Sequence, residues 1–309
     1  MIGPMRRILL WMARNRWLKE HLPRLWFARR AVRKFMPGET IEAALDAAEE
    51  FRPLGIGILL TRLGENLADL SQAQEVADHY HRVIDLVRAR GLDAEVSLKP
   101  TQIGLDLDAD AAHDHLSSLA AHVAEANGTL WIDMEGSAYV EPTLEAYRRL
   151  KVEHENAGLC LQAYLRRTPA DVHDLLPLRP QIRLVKGAYD EPAQIAFRRK
   201  AEVDAAYLSL CVLMLPAAGR GELRLGLGTH DTRLVEQVAE HARAAGQGID
   251  TFEVQMLYGI RMDEQRRLAA EGYVVRDLIA YGEAWYAWYM RRLAERPANV
   301  WFAVRQLVG

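Results

Sequence analysis

The chain has 309 residues, of which 50% are hydrophobic and 26% charged, with a net charge of −3. That size suits one α/β barrel or two smaller domains, and the slight acidic balance argues against a general nucleic-acid binder. Cys160 and Cys211 lie in apolar runs and are read as reduced core residues of a cytosolic protein. No apolar run of about 18 residues is evident, so no membrane span is expected.

The first 35 residues differ from the rest. They carry ten Lys/Arg and one acid, Glu20, with Trp11, Trp17, Trp26 and Phe27 interleaved. Two readings stand: helices packed on the main domain, which we favour, or a basic aromatic segment resting on the inner face of an anionic membrane. The apolar run 8–13 is too short for a secretion signal. We divide the chain into a basic helical segment, 1–50, and a catalytic domain, 51–309.

From residue 55 short apolar runs alternate with amphipathic ones. Strands are predicted over 57–61, 95–99, 130–134, 159–163, 182–186, 223–227, 252–255 and 273–276. Helical periods lie between them, over 73–90, 111–127, 140–156, 193–215 and 233–245. Strand alternating with helix implies parallel pairing through right-handed crossovers. Eight such units predict a distorted (β/α)8 barrel preceded by N-terminal helices. A dinucleotide-binding open sheet would want G-x-G-x-x-G after its first strand, and that fingerprint is absent.

Polar residues gather where these strands end. Lys99 ends the second, the third ends with Asp133 and Glu135, and the fourth with Gln162 and Tyr164. The fifth ends with Lys186, Gly187 and Tyr189, the sixth leads to Thr229-His230-Asp231, and Gln255 closes the seventh. In a barrel this end carries the active site. The last helix holds Arg291 and Arg292. Adjacent arginines differ in direction by about 100°, so both reach one cavity only from its wall. A guanidinium pair suits a small carboxylate, although a solvated Arg/Glu helix face fits the same residues.

Read together, Ser97-Leu98-Lys99, Trp131-Ile132-Asp133-Met134-Glu135, Leu161-Gln162-Ala163-Tyr164, Arg183 to Tyr189, Thr229-His230-Asp231, Phe252 to Gly259 and Arg291 to Pro297 resemble the ordered motifs of the FAD-dependent proline dehydrogenases. The resemblance runs from about residue 50 to the end and is nearest the short monofunctional bacterial type. It implies FAD as cofactor, a small cyclic amino acid as substrate and a quinone-type electron acceptor. Lys99, Arg291 and Arg292 would hold the substrate carboxylate, and Asp133 would organise the pocket beside it. Arg183 would sit near the flavin. Gln162, Lys186, Gly187, Thr229, His230 and Gln255 would contact the cofactor, and Glu295, grouped with them, would help set the arginine pair. Tyr189, Leu278 and Trp288 would shape the substrate pocket, with Glu65 pairing to an arginine as a gate over it. On this account hydride passes to flavin N5 and no dedicated general base is required.

The sequence departs from the family at the pocket wall. Leu278 stands where a Tyr is usual, Trp288 replaces another Tyr, and Ala280 replaces a Pro. Asp231 replaces a common Asn, and Pro100 follows Lys99 unusually. Proline is the expected substrate, with a substituted or larger cyclic amino acid, hydroxyproline among them, as the alternative. A cofactor-free or metal-dependent lyase and a catalytically silent membrane scaffold are the rivals. His79/His81 and His113/His115 are spaced i,i+2 on helices and face apart, and no metal is expected. Lys99, Asp133 and Arg183 also fit a structural ion-pair network. The oligomeric state is left open.

Overall fold

The computed structural model describes residues 8–9, 11–13, 15–64 and 67–295. Eight parallel strands close into one barrel in sequence order. They are β1 (Gly57–Arg62), β2 (Ala94–Leu98), β3 (Leu130–Ile132), β4 (Ala157–Gln162), β5 (Gln181–Val185), β6 (Arg224–Gly228), β7 (Phe252–Leu257) and β8 (Val274–Tyr281). Closure is made by β1 on β8, in a register running from Gly57↔Arg276 to Arg62↔Tyr281.

The helices are α1 (Arg16–His21), α2 (Trp26–Val32), α3 (Ile41–Glu49), α4 (Leu70–Arg90), α5 (Ala109–Ala124) and α6 (Val140–Glu153). They continue with α7 (Thr168–Leu175), α8 (Lys200–Gly219), α9 (Thr232–Ala244), α10 (Met262–Ala270) and α11 (Trp285–Glu295). Their starts follow capping chemistry: Asp69 accepts from Gln72 N at 3.1 Å ahead of α4, and Asp108 accepts from Ala111 N at 3.1 Å ahead of α5. On α4, His79 bonds Tyr281 Oη at 2.8 Å while His81 bonds His122 at 2.9 Å, so the two rings serve different neighbours.

Three boundaries differ from the sequence expectation. β8 runs to Tyr281 because β1 stays paired with it beyond the charged Arg276-Asp277 step. β3 ends at Ile132, and Asp133 continues the ladder only through its N–H to Leu98 O at 2.8 Å. The stretch from 193 is a loop up to Lys200. There the backbone bonds sideways, with Phe197 N to Tyr164 O at 2.8 Å and Arg166 N to Ile195 O at 2.9 Å. By length and composition alone α8 is apolar enough for a membrane span. In the fold its Tyr207, Leu210, Cys211 and Met214 are buried within the barrel's core.

Two apolar clusters organise the molecule. The main one fills the space between strands and helices, and it includes Ala44, Leu45, Ala48 and Phe51 from α3 and its end. α3, grouped by sequence with the N-terminal segment, is thus continuous with the barrel's core. The second cluster joins Leu9, Ala13, Ala31, Val32, Phe35 and Met36 to Trp285, Tyr286, Trp288 and Tyr289 of α11. The N-terminal segment therefore packs on the helix that carries the arginine pair. Gly259 makes that packing sterically feasible: it takes φ +72°, and a Cβ there would meet Lys34 O at 1.6 Å.

Candidate active site

A cavity of about 570 Å³ opens at the C-terminal ends of the strands. Lys99, Asp133, Gln162, Arg183, Lys186, Gly187, Tyr189, Thr229, His230, Gln255, Leu278, Trp288, Arg291 and Arg292 all line it. Glu65 and the side chain of Glu295 fall outside the described residues.

Arg183 is the best-defined group. It is 3% exposed, and its Nη2 donates to Ser97 Oγ at 2.7 Å and to the Asp133 carboxylate. Ser97 Oγ also donates to Asp133 Oδ1 at 3.1 Å. Burial works against the charged guanidinium, yet the Asp133 carboxylate outweighs it and holds the pKa above its ordinary value. Arg183 Nη1 is buried with no partner. Cys160, read from sequence as core, is buried but lines the cavity beside Arg183, and burial pushes its thiol up.

Gln162 and Gln255 have fixed amide orientations. Gln162 Nε2 donates to Met134 O at 3.3 Å and Glu135 O at 3.2 Å, while Gln255 Nε2 donates to the Glu253 carboxylate. Each therefore keeps its Oε1 as an acceptor, and both oxygens are buried without a partner. Lys186 pairs with Asp204 at 2.6 Å and Asp231 at 3.4 Å. Asp231 is held down to about 2: burial opposes this, but Arg233 and Lys186 overcome it. Gly187 sits at φ +113°, where a Cβ would come within 2.2 Å of the Tyr164 ring.

Across the cavity α11 presents Arg291 and Arg292 from its wall. The helix is anchored by Trp285 Nε1 to Glu39 Oε1 at 3.0 Å, and Arg291 Cζ lies 5.9 Å from the Tyr189 ring centre. Leu278 pairs in register with Leu59 of β1 and Leu257 of β7, giving the wall between them an apolar strip.

The family model for proline dehydrogenase matches residues 44–305. The chain belongs to the proline dehydrogenase family. It is 36% identical over 308 residues to proline dehydrogenase 1 of Bacillus subtilis, covering 98% of this chain and 99% of that one. Against the proline dehydrogenase of Deinococcus radiodurans it is 39% identical over 280 residues, covering 89% of each. Among solved structures, proline utilization A from Bdellovibrio bacteriovorus, inactivated by N-propargylglycine, superposes with a TM-score of 0.80 at 22% identity. That match takes in 94% of this chain and 38% of the larger one. A Bradyrhizobium japonicum proline utilization A, the D779Y mutant, superposes with a TM-score of 0.74 at 23% identity, over 90% of this chain and 32% of its own. The barrel is thus the proline dehydrogenase fold.

The proline dehydrogenase family is flavin-dependent, and the residues present here fit such a group. A donor, Arg183 Nη1, and two acceptors, Gln162 Oε1 and Gln255 Oε1, are buried, unpartnered and on one cavity wall system. A heteroaromatic ring with both carbonyl oxygens and an N–H can partner both the donor and the acceptors. Ser97, Cys160 and Asp204 were missed by sequence reasoning. For Ser97 and Cys160 a signal existed, since each stands two residues before an inward-facing one, Lys99 and Gln162, on the same strand face. For Asp204, on α8, there was none.

Proposed function

We propose that this family member oxidises L-proline at the ring carbon next to nitrogen, giving Δ1-pyrroline-5-carboxylate, with FAD as its resident cofactor and a quinone as the final acceptor. The observation that carries the reading is the meeting of Lys99, Arg291 and Arg292 in the cavity that also holds the unpartnered donor and acceptors of Arg183, Gln162 and Gln255. When bound, FAD supplies the two-electron acceptor chemistry.

The chain's own residues do the rest. Lys99, Arg291 and Arg292 grip the substrate carboxylate by charge-assisted bonds and so fix the ring's position. The same cations favour the neutral amine, the form that gives up hydride. Asp133 fixes Arg183, whose charge compensates electron density arriving in the cavity. Lys186, held by Asp204 and Asp231, is placed to receive the polar part of the cofactor. Tyr189, stacked near Arg291, closes the substrate side.

A visible spectrum followed anaerobically during addition of L-proline tests this reading. Oxidised-flavin bands that bleach are expected; a colourless protein that FAD does not reconstitute would end it.

The apolar Leu257–Leu278 strip and Trp288 support a second reading, in which a larger or substituted ring is taken in preference to proline. Bands that ignore proline and bleach with another cyclic amino acid would favour it. We place the protein in the cytoplasm, in peripheral contact with the membrane. Trp11, Trp17 and Trp26 are 62%, 63% and 73% exposed on the basic N-terminal segment, which suits contact with an anionic bilayer. Co-sedimentation with vesicles containing anionic lipid tests that contact, and no binding at low salt would remove it.

A further inference from the structure

Beneath the cavity, the N-terminal half of the barrel interior holds a buried charged layer that the proposed reaction does not use. Arg224 of β6 donates to Glu95 of β2 at 2.8 Å and to Glu253 of β7 at 2.8 Å. Arg276 of β8 reaches Glu253 at 3.4 Å and Asp93 at 3.0 Å. Glu95 and Glu253 are buried, while Arg224 is part-buried and Asp93 reaches solvent at the layer's outer edge; pairing of this kind knits the strands together. Its upper contacts say more.

Trp131 of β3 is completely buried and stands between this layer and Arg183. Its Nε1 donates to Glu95 Oε2 at 2.7 Å. Arg183 Cζ lies 5.1 Å from its ring centre, and Arg224 Cζ 5.3 Å. In the strand register Arg183 is level with Gly226, two residues nearer the cavity than Arg224, so the indole is flanked by one guanidinium on each side along the barrel. The ring has no freedom to shift towards β4: a Cβ at Gly158 would meet Trp131 Cε3 at 2.6 Å. The aromatic face attracts a guanidinium most strongly when both are desolvated. Arg183 spends its Nη2 on Ser97 and Asp133, and Asp133 itself is partly exposed to the cavity. Besides those bonds and the neighbouring Cys160, the indole is what the Arg183 guanidinium rests on. The same layer orients a second floor group, because Glu253 takes the amide N–H of Gln255 and turns its Oε1 to the cavity.

We propose that Trp131 is a positioning residue for Arg183: anchored by Glu95 and flanked by Arg224, its indole holds the Arg183 guanidinium in place beside the cavity, and so tunes the bound flavin. The proposal rests on the flavin-dependent reading above. It assigns the charged layer a purpose beyond strand pairing. Contact with substrate is not involved, so carboxylate recognition should be unaffected.

The test uses the full chain loaded with FAD. Trp131→Leu removes the ring, Trp131→Phe keeps a ring but loses the bond to Glu95, and Gly158→Ala displaces the indole from the other side. Flavin midpoint potential is read by photoreduction against a dye, without substrate, alongside FAD content and proline kinetics. The expected result is a more negative potential and a kcat lower by about tenfold in Trp131→Leu, with smaller shifts in the other two and KM within about twofold. In an Arg183→Lys background the same changes should have little further effect, since the residue they act through is altered. Wild-type potential and kcat in a folded, FAD-loaded Trp131 variant would overturn the proposal, as would equal effects with and without Arg183. If Trp131→Leu fails to fold, Trp131→Phe and Gly158→Ala decide the matter by the same readings. A wild-type chain that never takes up FAD would instead remove the flavin reading, and this inference with it.

Discussion

Asp277 and Leu278, adjacent on β8, face opposite ways: Leu278 lines the cavity, while Asp277 is wholly buried behind it against α10. Both carboxyl oxygens of Asp277 lack a partner, and so does Oε1 of the equally buried Gln265. Gln265 spends its Nε2 on Leu257 O and Ile260 O, both at 3.3 Å. A proton on Asp277 supplies the donor that this group of acceptors needs. Burial accordingly raises the carboxyl to about 8.

The sign of the stability effect follows. The folded chain keeps this proton between pH 3.8 and about 8 while the unfolded chain loses it. Asp277 therefore costs least at low pH; its cost grows through that window and levels off above about 8. Asp277→Asn, which retains a donor, should raise Tm at pH 8, by an amount on the order of a few kcal/mol in stability, and flatten the pH dependence between about 5 and 8. Thermal melts of both chains across that range give the comparison. Parallel curves would show that Asp277 is already ionised in the fold.

The arginine pair makes a sharper claim on kinetics. On the proposed reading, Arg291→Ala or Arg292→Ala removes a charge-assisted bond to the substrate carboxylate, and a rise of roughly ten- to a hundredfold in KM is expected. Steady-state kinetics on L-proline should show the rise in KM with little loss of bound flavin. Wild-type values in both variants would sink the carboxylate assignment.

On the proposed reading Gly187→Ala should weaken flavin binding. The position has φ +113°, and the new methyl would enter the Tyr164 ring at 2.2 Å, so the loop after β5 must move. The ratio of flavin absorbance to protein absorbance after purification is the measurement. We expect a clear fall with a preserved barrel; an unchanged ratio would show that the loop tolerates the shift.

Leu278→Tyr tests the pocket wall. A phenol in place of the isobutyl group narrows the space between β1 and β7 that Leu278 faces with Leu59 and Leu257. The preference for proline over a six-membered ring analogue, as a ratio of kcat/KM, should rise by about tenfold or more. A ratio that does not move would place the ring of the substrate elsewhere in the cavity.

Much of this protein is written locally. Alternation of apolar strands with amphipathic helices dictated eight β/α units, and the polar residues closing most of the strands marked the end where the cavity lies, because period and position along a strand are properties of neighbouring residues. The candidate site residues from Lys99 to Arg292 were legible through the family resemblance of the motifs that carry most of them, and all those within the described residues line one cavity.

What only the tertiary structure decided are the partnerships across the barrel. Glu95 and Arg224 are 129 residues apart, and Arg183 finds Ser97 86 residues away. The sequence shows which face of a strand a side chain takes, as the i,i+2 relation of Cys160 to Gln162 does, but closure of the sheet fixes its neighbour on the next strand. The loop before α8 was hidden because its backbone bonds run sideways to Tyr164 and Arg166. Asp277 looked like the end of a strand, and only the pairing of β8 with β1 carried the chain through that buried carboxyl to Tyr281. Local patterning chooses elements and faces; register and closure, set by long-range packing and hydrogen bonding, choose who meets whom.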